Sequence, residues 1–498
     1  MEIFSAKIVP LNVVNGDGII AILNAEQASQ YGITQHDKIS LIRKGEEYVV
    51  DVALSSEYVE PWTIGATTEL LENYPIMPWD NVLVSFMRNN PLSLQAIRKK
   101  LLGEKITNEE IDAIVEDIQN NKLSDLILAS FFYKTDPEEL AYTTKATAYT
   151  GDMYRFPGVV ASKYCIGGVS GNETTMILVP LLASLGIVMP KTFSKSITSP
   201  AATWECVEVL MRSELKKSEI IRLVEKYGCC LAWNWNLNLA PANDRIIKVS
   251  APLGMEPYAR MISSIMAKNY AMGINHCLID IPVGPTAKVN NQEDAERIAQ
   301  HFKNIGTSLG IKTEVAITKA EQPIGNGIGA VLQVREVLRV LQQHALRASD
   351  LEGKALDLAA QLLVLCGRNE SYEEAYRLAK ETLQSWDARK KMQEIITAQE
   401  GNSDVDSEGL VLGSQTFDIV SERDGKVEAI DMKYLNMLAR TLGAPWDATA
   451  WIFLHKKLYD TVHRWEILFS FYASSENKLQ MAKELVEEKS AYTITLNP

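Results

Sequence analysis

The sequence predicts a multidomain α/β protein, and three observations carry that expectation. At 498 residues the chain exceeds what one hydrophobic core ordinarily serves, so several domains are expected. Two short stretches, Cys277–Val283 (CLIDIPV) and Thr313–Ile317 (TEVAI), read as buried strands and flank a helical pattern over Gln292–Leu309. Strand, helix and strand at this spacing imply a parallel βαβ unit. Ahead of this core, residues 1–84 carry short strand-like stretches split by turn residues, and behind it helices give way to a mixed tail.

Taken in order, residues 1–84 read as a small β-rich domain. Ala6–Val14, Ile39–Arg43 and Tyr48–Ala53 are β-like, NGDG at Asn15–Gly18 and RKGEE around Gly45 are turns, and a Pro-Trp-Asp turn at Pro78–Asp80 closes the segment. Residues 85–150 read as a helical domain. Ile106, Ile111, Ile114, Val115 and Ile118 share one face, with Thr107 as N-cap and Glu110 completing a capping box. That stripe must be buried against the next domain or a second subunit. Residues 151–345 form the α/β domain, with functional residues expected at carboxyl ends of strands and amino ends of helices. Residues 346–410 are a helical extension that ends on the polar GNSDVDSEG, Gly401–Gly409. Residues 411–498 mix strands with the helix MKYLNMLARTLG and a last helix near Asn477–Glu488, an α+β domain.

Composition excludes several partners. The chain is 46% apolar and 23% charged, a globular balance. Its net charge of −13 argues against a nucleic-acid polymer or an anionic membrane, both of which reward a basic surface, but leaves room for a small basic pocket. The N-terminus lacks the basic start and apolar core of a signal peptide, and the apolar run Met176–Pro190 suits a buried helix better than a membrane span. Six cysteines and six histidines show no metal or disulfide spacing, so neither a metal nor another cofactor is expected, and a reducing cytoplasm is.

The chemistry concentrates in a few stretches. In SKYCIGGVSGNETT, Ser162–Thr175, the glycines Gly167, Gly168 and Gly171 let backbone N–H groups turn inward, and Thr174 and Thr175 add hydroxyls at the start of a helix. Helix N-termini and turned amides bind phosphate without a special side chain. No Gly-Lys-Ser/Thr closes the pattern, so it is not a Walker loop; on these residues alone a phosphate site and an ordinary glycine turn both stand. SKSITSPAATWECVE, Ser194–Glu208, places hydroxyls and a lysine before a helix-like segment. LAPANDRI, Leu239–Ile246, is followed by SSIMAK, where Ser264 and Lys268 lie one helical turn apart, as ligand contacts or as a solvated face. QPIGNGIG, Gln322–Gly329, implies another bent backbone.

In this order GGVSGNETT, SITSPAAT, LNLAPAND, SSIMAK, IDIPVGPTAKV, QPIGNGIG and FLHKK resemble the thymidine/pyrimidine-nucleoside phosphorylase family. The similarity is to the branch with an extra N-terminal domain that includes archaeal AMP phosphorylases. The resemblance implies the type II nucleoside phosphorylase architecture. A helical domain is split in sequence, with residues near 242–272 returning to it, and carries a dimer interface. An α/β domain holds phosphate, and closure of the cleft between them orients the reactants. The implied reaction is pentosyl transfer. Inorganic phosphate attacks the anomeric carbon of a nucleoside 5′-monophosphate or a nucleoside, releasing the base and leaving a ribose 1-phosphate. No covalent nucleophile is required, and a cytoplasmic homodimer or larger homo-oligomer is implied.

The resemblance also implies site roles. Lys163, Cys165, Gly167, Gly168, Thr175, Ser194 and Thr203 would hold phosphate, while Tyr164, Lys195, Ser264 and Trp235 would contact substrate. Lys268 joins Ser264 beside the base, and Glu205 would donate a proton to it. Departures from the family pattern cluster at these positions. Its Lys-His-Ser reads Lys163-Tyr164-Cys165; a thiol is a weak donor, and tyrosine does not shuttle protons near neutral pH. A usual lysine is Glu173, a reversal worth several kcal/mol at about 4 Å from a phosphate and an effective dielectric of about 20, unless the side chain points away. A usual arginine is Lys195, which lacks the bidentate fork. Trp204 and Trp235 replace small residues and would stack on a ring or fill its place, and Asn269 replaces a second lysine. Arg245 and Lys288 are candidate anion partners. Three readings follow: a phosphorylase with altered substrate, a pentosyl-transfer enzyme, hydrolase or lyase using another nucleophile with Glu205 or Glu173 as base, or a binding protein that kept the fold.

Overall fold

Phe4, Ile8, Ile39, Leu41, Val50, Val52, Ile64 and Val84 form the centre of a closed six-stranded barrel. The computed structural model describes residues 2–14, 18–35, 37–86, 91–120, 136–196, 199–234, 237–243 and 258–495. The barrel comprises β1 (Glu2–Pro10), β2 (Ile20–Asn24), β3 (Lys38–Arg43), β4 (Glu46–Ser55), β5 (Thr63–Ala66) and β6 (Asn81–Phe86), ordered β1-β5-β2-β4-β3-β6. Short helices α1 (Ala25–Gln30) and α2 (Thr68–Asn73) sit between strands. Closure leaves no open edge. The first strand, expected over Ala6–Val14, ends at Pro10, which has no N–H to carry the ladder further. Most of the NGDG turn lies outside the described residues.

Helices α3 (Leu92–Leu101), α4 (Asn108–Gln119) and α5 (Pro137–Ala148) follow. Thr107 Oγ1 accepts from the Glu110 N–H, and the Glu110 carboxylate accepts from the Thr107 N–H at 2.6 Å, so the expected capping box starts α4. Ile111, Ile114, Val115 and Ile118 are buried, as their spacing predicts.

The chain divides into two compact units, Met1–Thr150 with Pro241–Ala259, and Gly151–Ala240 with Arg260–Pro498. The second contains β7 (Ala161–Cys165), α6 (Thr174–Ser184), β8 (Met189–Phe193), α7 (Thr203–Leu210), α8 (Lys217–Tyr227) and β9 (Cys229–Trp233). Next come α9 (Tyr258–Ala271), β10 (His276–Val283), α10 (Gln292–Leu309) and β11 (Lys312–Lys319). β10 pairs in parallel with both β7 and β11, and β8 with β9. A parallel bridge from Val160 to Val188 joins the two groups. From β7 the chain steps outward to β8 and β9, then returns to β10 on the opposite side. The winding direction therefore reverses between β7 and β10, and the crevice at the carboxyl ends of such strands is where open α/β sheets bind ligands. The apolar run Met176–Pro190 is not one helix. It is most of α6, a turn at Gly186 (φ +83°), and the start of β8. Among the described residues no helix is long and apolar enough to cross a membrane.

The remainder is β12 (Gly327–Ile328), α11 (Ala330–Leu341), α12 (Ser349–Leu365), α13 (Tyr372–Gln384) and α14 (Asp387–Ala398), then a mixed module. That module holds β13 (Gln415–Val420), β14 (Gly425–Ile430), α15 (Met432–Leu442), β15 (Trp451–Leu454), β16 (Thr461–Val462), β17 (Ile467–Ala473), α16 (Glu476–Glu488) and β18 (Tyr492–Thr495). β12, from the QPIGNGIG stretch, is the edge of the sheet β12-β15-β17-β13.

Candidate functional site

The glycine loop after β7 is set by its backbone conformation and, at Gly168 and Gly171, by neighbours that leave no room for a side chain. Gly167, Gly168 and Gly171 have φ of +86°, +94° and +74°, which L side chains avoid. A Cβ on Gly168 would stand 2.6 Å from the Lys288 backbone nitrogen, and one on Gly171 would stand 2.2 Å from the Ile324 carbonyl oxygen. The loop after β7 thus lies on the loop after β10, at the switch point. The Lys288 side chain passes over Gly167, its Nζ 3.7 Å from where a Cβ would be. Ser170 fixes the far end: its carbonyl accepts from Ile324 N at 3.0 Å and its hydroxyl donates to Asn436 Oδ1 at 2.7 Å.

Beneath the loop is a buried charge network. Lys163, 1% exposed, donates to Thr174 Oγ1 at 2.8 Å and lies 3.6 Å from Asp280 Oδ2. The same Asp280 oxygen meets Lys354 Nζ at 3.0 Å and Asn172 Nδ2 at 3.4 Å, while Oδ1 accepts from Thr318 at 2.7 Å. Burial alone would raise the Asp280 carboxyl; Lys163 and Lys354 outweigh it and hold the group below the usual carboxylate range, so it is an anion. Lys191 donates to the Lys163 carbonyl at 2.9 Å and sits 4.1 Å above the Tyr164 ring. Desolvation, then the Lys163 charge, pushes Lys191 down to about 7. Cys165 Sγ accepts from Gly167 N at 3.4 Å and Asn172 Nδ2 at 3.5 Å. Burial of the sulfur, then Asp280, raises the thiol, so it stays protonated.

Two further stretches border this network. Glu173, at the N-cap of α6, is 4% exposed and faces the Thr203 side chain at the start of α7. It does not point away into solvent. Glu205 is also buried; one oxygen accepts from Ser196 N at 2.9 Å and the other from Ala202 N at 2.8 Å. It therefore ties both ends of the 196–202 segment to α7, and burial, against those bonds, raises its carboxyl. Lys195 is exposed, but its ammonium stands 4.1 Å above the Trp204 ring and 4.2 Å above the Trp233 ring, a two-faced cation–π contact. Ser194 Oγ accepts from Asn234 Nδ2 at 3.1 Å.

The structure thus gathers Lys163, Tyr164, Cys165, Gly167, Gly168, Lys288 and Glu173, with Thr203 and Glu205, around the ends of β7, β8 and β10. Thr175 is buried in the first turn of α6. Ser264 and Lys268 stand one turn apart on α9, a separate element, with Lys268 buried. Trp235 and Arg245 lie outside the described residues. Sequence reasoning missed Asp280, Lys191, Lys354 and Asn172. Asp280 had a readable signal: a carboxylate inside the apolar strand CLIDIPV needs a buried cation. A groove lined by Asp112, Tyr142, Lys145 and Tyr149 lies in the other unit and holds none of these residues.

Comparison with known proteins follows the same division. Residues 160–389 match the glycosyl transferase family a/b domain, and residues 426–493 match the pyrimidine nucleoside phosphorylase C-terminal domain. The chain is 39% identical to AMP phosphorylase of Pyrococcus furiosus over 484 residues, 96% of this chain and 95% of that one. It is 38% identical to AMP phosphorylase of Thermofilum pendens over 473 residues, covering 94% and 91%. A putative thymidine phosphorylase of Rhodopseudomonas palustris is 41% identical over 410 residues, covering 81% and 79%. Among solved structures, anthranilate phosphoribosyltransferase from Thermus thermophilus has a TM-score of 0.50 at 14% identity, covering 61% of this chain and 99% of that one, a likeness of fold alone.

Proposed function

The chain belongs to the thymidine/pyrimidine-nucleoside phosphorylase family, and from that premise we propose that it is a pentosyltransferase that cleaves the N-glycosidic bond of AMP by phosphorolysis. The observation that carries the reading is the lysine-rich cradle at the switch point, where Lys163, Lys191 and Lys354 share a buried site with Asp280 beneath a glycine loop. Lysines in excess of a fixed carboxylate suit an oxyanion. The AMP phosphorylase relatives extend over nearly the whole chain, which favours a nucleoside 5′-monophosphate over a free nucleoside.

In this reading a phosphate oxygen attacks the anomeric carbon while the bond to the base breaks and its electron pair leaves with the base. Lys163, Thr175, Ser194, Thr203 and the Gly168 amide hold the phosphate, with Lys288 at the rim, while the Gly167 amide donates to Cys165 Sγ. Cys165 accepts from the loop rather than gripping the anion. Glu205 is the acid that protonates the departing base, a role worth roughly 10²–10⁴-fold in rate. Lys268 and Ser264 hold the base side, and Tyr164, Lys195 and Trp235 contact substrate. A homodimer in the cytoplasm belongs to the same proposal; light scattering on the purified protein tests the first part. The six thiols, none in a disulfide, suit a reducing compartment.

The test is a panel of nucleoside 5′-monophosphates and free nucleosides, with and without inorganic phosphate, with free base followed by chromatography. Base release from AMP that requires phosphate is expected. Release without phosphate, or none from any substrate, overturns the proposal.

A further inference from the structure

Glu173 is the residue that the proposed chemistry leaves over. It is 4% exposed, yet its Oε2 has no hydrogen-bond partner among the described residues. A buried carboxyl oxygen without a partner is costly, so its surroundings indicate what it would bond. The Thr203 hydroxyl, the Cys206 thiol and the Glu205 carboxyl face it from α7, Lys163 from β7 and Lys191 from β8. Asp280 of β10 stands behind Lys163. Glu173 is the N-cap residue of α6, with no side-chain cap bond, and faces Thr203, the first residue of α7, so two helix N-termini meet at this side chain. Such ends, with two buried lysines, attract an anion. An ionised Glu173 would repel it; a proton on the carboxyl turns that repulsion into a hydrogen bond.

We propose that Glu173 is a further residue of the anion site and binds the acceptor oxyanion only as a neutral carboxylic acid, Oε2 donating to the anion, so that each anion bound brings one proton onto this side chain. The proposal rests on the phosphorolysis reading for the identity of the acceptor. Burial, against the pull of Lys163 and the Thr203 hydroxyl, already raises this carboxyl to about 7, so the proton is within reach near neutrality. Above that value the group is charged and the site repels anions; below it the group is an acid and the site admits them. With phosphate the proton count is ambiguous, because phosphate titrates in the same range. Sulfate carries no proton there and isolates the side chain.

The experiment is calorimetric titration of the full-length protein with sulfate between pH 6 and 8.5, in buffers of different ionisation heat, for the native protein and Glu173→Gln. The native sulfate Kd should rise roughly tenfold per pH unit above neutrality, with about one proton taken up per sulfate at pH 8. Glu173→Gln keeps a neutral donor, so its affinity should lose that slope and its proton uptake. A flat native profile overturns the proposal. So does an equal slope in Glu173→Gln, which would assign the titration to Lys191. Infrared difference spectra of the native protein give a second readout that does not depend on the variant's folding: sulfate at pH 8 should produce the carbonyl band of a protonated carboxyl, and its absence overturns the proposal. Phosphorolysis assayed alongside separates the two readings. The predicted sulfate slope without phosphate-dependent base release would overturn the proposed function and uphold the anion site, whereas base release with a flat sulfate profile would do the reverse.

Discussion

Asp280 shows how one buried carboxylate organises a site. It holds Lys163 and Lys354 from one oxygen and Thr318 from the other, with essentially no solvent exposure. Replacing it with asparagine would remove the carboxylate that Lys163 and Lys354 share in the interior. Breaking such a buried pair costs about 3–5 kcal/mol. At pH 7 the urea midpoint of Asp280→Asn should therefore fall well below that of the native protein. The folded pKa of Asp280 is lowered, so its contribution is present above the unfolded value of about 3.9 and is lost as pH falls through the folded value. The gap between native and variant midpoints should narrow below about pH 4, and equal midpoints at pH 7 would refute this account. The partners of Asp280 were not readable in sequence. Its lysines come from β7 and α12, elements far apart in the chain, and only parallel pairing of β7 with β10 brings Lys163 beside the carboxylate. Glu173 and Lys195 could be flagged as departures, but their partners Thr203, Trp204 and Trp233 depend on how α7 and β9 pack.

At the scale of elements, the loop between β7 and α6 is a shape before it is a set of side chains. Gly168 has φ +94°, and a Cβ there would press on the Lys288 backbone at 2.6 Å. Gly168→Ala combines a disfavoured conformation, worth about 1–3 kcal/mol, with a backbone clash that no side-chain rotation relieves. The loops after β7 and β10 would separate, and the glycine-loop amide proposed to face the anion would move. The KM for phosphate should rise about tenfold or more while circular dichroism stays native, and an unchanged KM would show that the loop's backbone does not hold phosphate. Elements built from local signals were legible in sequence. Thr107 and Glu110 cap α4, and the Gln292–Leu309 helix ends on Gly310 with φ +71°. Elements whose identity depends on distant partners were not. The Met176–Pro190 run is apolar throughout because α6 and β8 are both fully enclosed, so periodicity could not divide it. The two-residue β12 exists only because β15 pairs with it.

For the whole molecule, the arrangement of cores predicts how it comes apart. The barrel has its own core around Ile8, Leu41 and Ile64, and the α/β core around Leu178, Leu338 and Leu358 belongs to the other unit. The C-terminal module has a third core, yet it is not free to melt alone. Its sheet borrows β12 from the QPIGNGIG stretch, Trp451 packs on Val331 and Leu332 of α11, and Lys457 donates to the Pro323 and Gly325 carbonyls at 2.6 Å each while pairing with Asp350 at 3.0 Å. Removing the module would leave β12 unpaired and strip a buried indole and a half-buried cation from the α/β core at once. Calorimetric scans of the full chain should therefore resolve two transitions rather than one or three. All the described anion-site residues lie in the second unit, so phosphate at about 100 times its Kd should stabilise that unit alone, by about 2.7 kcal/mol, and leave the other transition in place. Equal shifts of both transitions would mean that the units unfold as one body, and a shift of only the barrel transition would put the anion elsewhere. A third transition insensitive to phosphate would show that β12, Trp451 and Lys457 do not couple the module to the core.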